Sequence, residues 1–411
     1  MSGRPARIAF VCDFGIVHAR KLIQQFARSP EQFEVTVYSS TSAPAMEGVR
    51  LVSTVPATRS SRGKLVGMAW EVVRRPLMHW QRAAAVIWSW SMLWEARGLR
   101  AYFDRTADLE RPDVIHALRA QPEGLGAMGL ARRFPDVPFL VSLWGQDLVL
   151  FAGSSRRMRK HTIKLMQRVT AVVPDNGRDE RLAREEFGLR PGTPSLVMPA
   201  PGGLDVHELR SYVAPGEPLP ALAGSPRILA CRGYESAYHR LNLLMRAFRT
   251  LRSTHPAAHL YIEVPRKPKR RAALEREIRD LGLADSVTIL QSSRADLQRA
   301  MQVCEILAFA TEHDGLSMSL MEGMYHGQLP VVFDHECYRP YLVPGENAVV
   351  FREMTVAAVA AALDVAIRMA PGWRQGHGAT WRARLEAMAS QEVWFPRIVE
   401  VYRDQITGTA D

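Results

Sequence analysis

The sequence has few cysteines and no arrangement that would pair them. Its four cysteines are far apart, each in or beside an apolar segment: Cys12, Cys231, Cys304 and Cys337. This spacing argues against a disulfide-stapled secreted domain and predicts reduced, mostly buried thiols. The opening stretch MSGRPARIAFVCDFG has one short apolar run and no signal-peptide pattern, so we expect a cytoplasmic protein.

Metal-ligand and nucleic-acid motifs are also missing. There is no Asp-x-Asp pair and no C-x2-C pattern, and the histidines show no ligand spacing, so we expect no bound metal and no cofactor. The formal net charge of +11 favours anionic partners, such as phosphorylated small molecules or anionic lipid headgroups. Without leucine heptads or an aromatic ribonucleoprotein motif, we expect no nucleic-acid partner.

Strand and helix patterns alternate along the chain in two rounds. The first runs from RIAFVCDFG to RDERLAREEFG and the second from RILACRG to LPVVFD, with the proline- and glycine-rich VAPGEPLPALAGSP between them. Alternation of this kind predicts parallel sheets covered by helices. A chain of 411 residues is longer than one hydrophobic core usually accommodates, which predicts two domains. We therefore predict an α/β protein with two doubly wound, Rossmann-like domains facing a cleft: 1–210, a linker 211–225, and 226–378, followed by helices over 379–411.

One motif in the second round concentrates acids and small residues. In HDGLSMSLMEGMYHG, residues 313–327, Asp314 follows the strand EILAFAT and would lie at the carboxyl edge of the sheet. Gly315 permits close backbone approach, the amides of a helix start suit a phosphate, and carboxylates accept hydrogen bonds from sugar hydroxyls. The competing interpretation is a capping box formed by Ser319 and Glu322.

The longer segment EHDGLSMSLMEGMYHGQLPVVFDHECYRPYLVPGENAVVF resembles the donor-site signature of the retaining GT-B glycosyltransferases of family four: an acid, seven residues, then Glu. The resemblance implies that Glu322 holds the nucleotide ribose. It further implies that Asp314, at a place where the family more often has Glu, holds the donor sugar and phosphates with the amides of Gly315, Leu316, Ser317 and Met318. It also implies that the terminal helical segment returns to the first domain.

Further pieces of the chain extend the resemblance. In RGYESAYHRLNLLMRAF, Arg232 matches an arginine that contacts the donor diphosphate in the family, and His239 and Arg240 stand near the place of a family lysine. His116, in PDVIHAL, becomes a candidate cleft contact and catalytic group, with a packing role as the alternative. Gly15, His18, Trp144 and Asp147 are candidates for the acceptor side, although a buried tryptophan and a helix-capping aspartate explain the last two equally well.

A second function has a motif of its own. GLGAMG, Gly124 to Gly129, matches the dinucleotide fingerprint, with Asp147 near the expected distance, and supports an NAD-dependent oxidoreductase as the alternative. RAQPE separates it from the preceding strand, however, so small residues packing on one helix face explain it better.

The segment 61–105 interleaves arginines with five tryptophans: Trp70, Trp80, Trp88, Trp90 and Trp94. Its uncharged core, AAAVIWSWSMLW, is too short to span a bilayer, which needs about 20 apolar residues. Peripheral contact with the inner face of the cell membrane and packing within the protein both remain open.

Taken together, these observations predict a metal-independent, retaining hexosyltransferase. It would move a sugar from a UDP- or GDP-sugar to a glycan or lipid-linked acceptor in cell-envelope polysaccharide synthesis. A catalytically silent GT-B module that binds glycan or lipid is a further alternative.

Overall fold

The computed structural model describes residues 4–54, 81–212, 222–231, 238–264 and 268–408. The chain forms two compact units, Met1–Gly203 with Glu392–Asp411, and Leu204–Gln391. The terminal segment thus belongs to the first unit.

The helix before this segment, Trp373–Ala389, lies in the second unit, although the sequence grouped it with the returning helices. The linker predicted at 211–225 falls inside the second unit, and its residues 213–221 lie outside the described residues.

The first unit is built on a sheet of six parallel strands in the order β3-β2-β1-β4-β5-β6. The strands are β1 Ala6–Cys12, β2 Phe33–Ser39, β3 Val49–Ser53, β4 Val114–Leu118, β5 Phe139–Leu143 and β6 Ala171–Pro174. The helices are α1 Val17–Ala27, α2 Gln81–Arg105, α3 Leu125–Arg133, α4 Arg156–Met166, α5 Gly177–Glu185 and the terminal helix Gln391–Thr407, with π-helical turns at Ala120–Gly124 and Asp147–Ala152.

Both faces of this sheet are buried, which is why its strands read as nearly continuous apolar runs. Along β1, Ala9 and Val11 enter one hydrophobic cluster, whereas Ile8, Phe10 and Cys12 enter the cluster on the opposite face.

The glycines of GLGAMG allow α3 to pack closely against α2. A Cβ added at Gly126 would lie 2.5 Å from the Cβ of Leu99, and one at Gly129 would lie 3.1 Å from the Cγ of Arg100. β4 ends at Leu118, ahead of the motif, and a π-helical turn intervenes. The interpretation as helix packing is therefore confirmed, and the oxidoreductase hypothesis loses the motif that supported it.

The second unit repeats the architecture with six parallel strands in the order β12-β11-β10-β7-β8-β9. The strands are β7 Arg227–Ala230, β8 His259–Glu263, β9 Val287–Leu290, β10 Ile306–Ala308, β11 Leu329–Phe333 and β12 Val349–Phe351. The helices are α6 Val206–Ser211, α7 Leu241–Thr250, α8 Pro268–Asp280, α9 Arg294–Val303, α10 Met318–Tyr325, α11 Val356–Met369 and α12 Trp373–Ala389, with a 3-10 turn at Glu336–Tyr338; the terminal helix of the first unit is α13.

Each unit therefore has the doubly wound strand order, in which successive strands are added first on one side of the unit's first strand and then on its other side. The prediction of two Rossmann-like domains is confirmed. The reversal lies between β1 and β4 in the first unit and between β7 and β10 in the second, and ligands bind such sheets at the carboxyl ends of these strands.

All four cysteines are buried, as the sequence predicts. The Trp/Arg-rich segment is described only from Gln81 onward, where it forms α2. Within the described ranges, no single helix has the length and apolar character to cross a membrane; α11 and α12 meet that test only as a pair, with a bend of 99° between them.

Candidate active site

The candidate donor site lies at the carboxyl edge of the second unit's sheet, where the chain leaves β7 and β10. The two leaving segments bridge each other in antiparallel fashion. The main-chain N–H of Arg240 donates to Ala310 O at 2.8 Å, and that of Glu312 donates to Tyr238 O at 2.7 Å. The fold thus brings His239 and Arg240 next to the segment that leads into Asp314.

The predicted phosphate contacts have partners in this structure. His239 is buried, and its Nδ1 lies 3.1 Å from the Oγ1 of Thr311. The guanidinium of Arg240 donates to Glu312 Oε2 at 2.8 Å, so a phosphate would have to share this cation with a carboxylate. Arg232, the strongest predicted diphosphate contact, lies outside the described residues.

Asp314 is buried, with 8% of its surface exposed. The hydroxyl of Tyr338 donates to Asp314 Oδ2 at 2.5 Å, and the N–H of Gly315 donates to Oδ1 at 3.0 Å. The thiol of Cys337 donates to Gly315 O at 3.3 Å. The segment that follows β11 therefore holds the Asp314–Gly315 turn in place.

The helix after this turn, α10, begins at Met318. Ser317 is the N-cap of α10, and its Oγ accepts a hydrogen bond from the N–H of Leu320 at 3.3 Å. Ser319 lies inside the helix and is not its N-cap, and the carboxylate of Glu322 accepts hydrogen bonds from Arg294 and Gln298. The capping-box interpretation is therefore wrong. The first N–H groups of a helix lack intrahelical partners and attract anions, so the start of α10 at Met318 is suited to a phosphate.

Glu322 is buried, with 6% exposed, and is directed at α9. Arg294 donates from Nη1 to Glu322 Oε2 at 2.7 Å and from Nη2 to Oε1 at 2.6 Å. Gln298 donates to Oε2 at 2.9 Å, and the Nε2 of His326 lies 2.7 Å from Gln298 Oε1. Burial lowers the pKa of His326 to about 3, so this ring is neutral near pH 7.

Arg294, Gln298 and Tyr338 were not predicted from the sequence. Arg294 carries a detectable signal, because it is the first residue after a serine cap that follows a strand, and it is therefore at the same edge of the sheet. The pairing of Gln298 and Tyr338 with the two acids has no signal in the spacing of the sequence.

His116 lies in the core of the first unit. Its side chain is fully buried on β4, with Nδ1 2.5 Å from the hydroxyl of Tyr402 and Nε2 3.0 Å from that of Ser142. Burial lowers the pKa of His116 to about 3, so the ring stays neutral. We therefore correct the catalytic interpretation and assign His116 a packing role.

The predicted acceptor-side residues lie at the carboxyl edge of the first unit's sheet. The N–H of Gly15 donates to Asp13 Oδ1 at 2.9 Å, and the rings of His18 and Trp144 meet edge to face with centroids 6.2 Å apart. Asp147 is 1% exposed, and its Oδ2 accepts from the N–H of Trp144 at 3.2 Å, which is a structural role. Burial raises the pKa of Asp147 to about 6.

Two charged residues at this edge were not predicted. Arg119 follows β4 with φ of 134°, in the left-handed region that non-glycine residues rarely adopt, and its Nε lies 3.6 Å from Asp147 Oδ1. Glu123 is 1% exposed, and burial raises its pKa to about 7. Both residues belong to RAQPE, which directly follows the strand and therefore lies at the edge of the sheet where ligands bind.

No group of three or more His, Cys, Asp or Glu side chains suited to a metal occurs among the residues that the structure describes.

Comparison with known proteins gives a family match over part of the chain and a shared fold over nearly all of it. Residues 225–368 match the family model described as glycosyl transferases group 1. A search of curated protein sequences gives no significant match.

Several solved structures share the fold over nearly the whole chain. The α,α-trehalose 6-phosphate synthase of Burkholderia multivorans has a TM-score of 0.71 at 14% identity, covering 99% of this chain and all of that one. The sucrose-phosphate synthase of Thermosynechococcus elongatus has a TM-score of 0.69 at 14% identity, covering 98% and 100%. Anabaena HepE, solved in complex with UDP, has a TM-score of 0.65 at 14% identity, covering 97% and 100%. A match to glycosyl transferases group 1 within the second unit, together with a GT-B fold that spans both units, supports a glycosyltransferase.

Proposed function

We propose that the enzyme transfers a sugar, with retention at the anomeric carbon, from a UDP- or GDP-sugar to a glycan or lipid-linked acceptor of the cell envelope. The observation that carries the proposal is the placement of Asp314 and Gly315 at the strand-reversal edge of the second unit, directly before the start of α10. Anabaena HepE, which shares this fold, has been solved with UDP-glucose.

The chemistry follows from charge. As the bond between the sugar and the diphosphate breaks, negative charge grows on the departing phosphate oxygen. The start of α10, Arg240 and Arg232 would stabilise that charge, and Asp314 would hold hydroxyls of the transferred sugar. The acceptor hydroxyl attacks from the same face, and its proton passes to the leaving phosphate. This route uses no protein nucleophile and, in our proposal, no metal.

The test is a screen of the intact protein with UDP, GDP, ADP, TDP and NADH in a thermal-unfolding assay, followed by sugar release from the matching nucleotide sugars with and without EDTA. We expect one nucleoside diphosphate to raise the melting temperature and its sugar conjugate to be hydrolysed or transferred. Binding without turnover on any acceptor would support the silent module instead. Protection by NADH alone would contradict the proposal.

We further propose that the enzyme works on the cytoplasmic face of the membrane, with a surface of the first unit against anionic lipid. Trp90 and Trp94 on α2 are 53% and 63% exposed, and the guanidinium of Arg157 lies 4.6 Å from the ring centroid of Trp90. The adjacent α4 contains five basic residues and no acid in RRMRKHTIKLM. Exposed tryptophan beside basic residues favours the headgroup region of an anionic bilayer.

Vesicle sedimentation tests this surface. At low salt we expect binding to vesicles that contain phosphatidylglycerol, little binding to phosphatidylcholine alone, and loss of binding in the double variant Trp90→Ala/Trp94→Ala. Val365→Ala, which removes an exposed apolar side chain from the second unit, is the matched control. Equal sedimentation of the wild type with both vesicle types would contradict an electrostatic membrane contact.

A further inference from the structure

We propose that Arg294 is a positioning residue for the donor ribose: it holds the Glu322 carboxylate so that one acceptor position, on Oε1, is left for one ribose hydroxyl. The inference rests on the proposed function, in which Glu322 reads the ribose. It adds Arg294 to the residues that serve the donor site, and it predicts that Glu322 contacts only one of the ribose hydroxyls.

The count of hydrogen bonds carries the proposal. A carboxylate has about four acceptor positions, two on each oxygen. Oε2 of Glu322 is filled by Arg294 Nη1 at 2.7 Å and Gln298 Nε2 at 2.9 Å. Oε1 receives Arg294 Nη2 at 2.6 Å and, among the described residues, no other donor. One position on Oε1 is therefore left for a ligand.

Arg294 itself is well anchored. It is the first residue of α9, directly after the N-cap Ser293, whose capping box with Asp296 fixes the start of the helix. Its Nε donates to Glu208 Oε1 at 3.3 Å, so two carboxylates share one guanidinium. Because α9 follows β9, this anchor is at the carboxyl edge of the sheet, where the ligand is expected.

The planar fork of arginine fixes both carboxylate oxygens at once, whereas lysine supplies the charge without that geometry. Arg294→Lys therefore separates the two effects. The charge beside Glu322 is retained, but the carboxylate is free to rotate, and the open position on Oε1 no longer points in one direction.

The experiment measures the dissociation constants of UDP, 2′-deoxy-UDP and 3′-deoxy-UDP by calorimetry. For the wild type we expect removal of one hydroxyl to weaken binding about 10-fold or more, and removal of the other to have little effect. In Arg294→Lys, UDP should bind about 10-fold more weakly, and the difference between UDP and the sensitive analogue should disappear. Glu322→Gln should behave in the same way.

Arg210→Lys is the matched control, since Arg210 pairs with Glu386 at 2.8 Å on the surface of the same unit and should leave all three affinities unchanged. Should Arg294→Lys unfold, Arg294→Gln takes its place.

Three results would overturn the inference. The first is full hydroxyl discrimination in Arg294→Lys, which would leave Arg294 with a structural role only. The second is equal dependence of the wild type on both hydroxyls, which contradicts a single acceptor position. The third is failure of the wild type to bind UDP, GDP, ADP or TDP, which removes the proposed function as well; the first two results leave that function intact.

Discussion

Replacing His116 distinguishes a core residue from a catalytic one. In His116→Phe, the hydroxyls of Tyr402 and Ser142 lose the buried ring nitrogens that they contact at 2.5 and 3.0 Å. An unsatisfied buried polar group costs about 1–3 kcal/mol, so the two together should lower the free energy of unfolding by about 2–6 kcal/mol at neutral pH. Turnover per folded molecule should be nearly unchanged.

The pH dependence provides a second, independent measure. Burial lowers the pKa of His116 from 6.5 to about 3. Below pH 6.5 this imidazole therefore binds a proton in the unfolded chain but stays neutral in the folded chain. Folding stability from this residue is therefore lost as the pH falls, by about 2 kcal/mol between pH 7.5 and pH 5. The variant should lack this part of the loss.

The assay is urea unfolding of the intact protein at pH 7.5, 6 and 5, with hydrogen exchange of the β4 amides as the reading specific to the first unit. Loss of turnover in His116→Phe with wild-type stability at every pH would refute the assignment to the core and restore a catalytic role.

Three further predictions follow from single contacts. Tyr338→Phe removes the donor to Asp314 Oδ2, and kcat/KM for the nucleotide sugar should fall about 10-fold while the affinity for free nucleoside diphosphate changes little. Gly126→Ala forces a Cβ to within 2.5 Å of Leu99 and should lower the free energy of unfolding by about 1–3 kcal/mol, measured by urea titration. Burial raises the pKa of Glu123 from 4.5 to about 7. The stability that this carboxyl contributes is therefore lost as the pH rises through that window, by up to about 3 kcal/mol. In Glu123→Gln, the midpoint of urea unfolding should depend less on pH than in the wild type.

Each of these has a control or a contradicting outcome. Gly153→Ala places its Cβ no closer than 3.6 Å to a neighbour and should be tolerated, so equal destabilisation of both alanine variants would contradict the packing argument. If Tyr338→Phe lowered kcat/KM for the nucleotide sugar and the affinity for the free nucleoside diphosphate by the same factor, Asp314 would not act on the sugar. An unchanged pH profile in Glu123→Gln would show that this carboxyl is ionised throughout.

The sequence predicted the architecture because alternating apolar strands and helical patterns determine a doubly wound sheet locally. It also placed Asp314 and Gly315 correctly at a strand end, since the carboxyl edge follows from strand direction. The partners of the acids were not predictable in this way. Arg294 lies 28 residues before Glu322, and only the packing of α9 against α10 brings them together.

The same limit explains the correction at His116. An apolar strand that ends near a histidine is compatible with either a buried or an exposed ring. The outcome depends on Tyr402, which is 286 residues away on α13 and reaches the ring only because the terminal helix packs on the first unit.

The most direct test of the donor site is hydrogen exchange with and without a saturating nucleoside diphosphate. We predict slower exchange in the segment 312–322 and at the start of α9, where Arg294 holds Glu322, with the GLGAMG segment unaffected. Protection confined to GLGAMG, with unchanged exchange across 312–322, would contradict it.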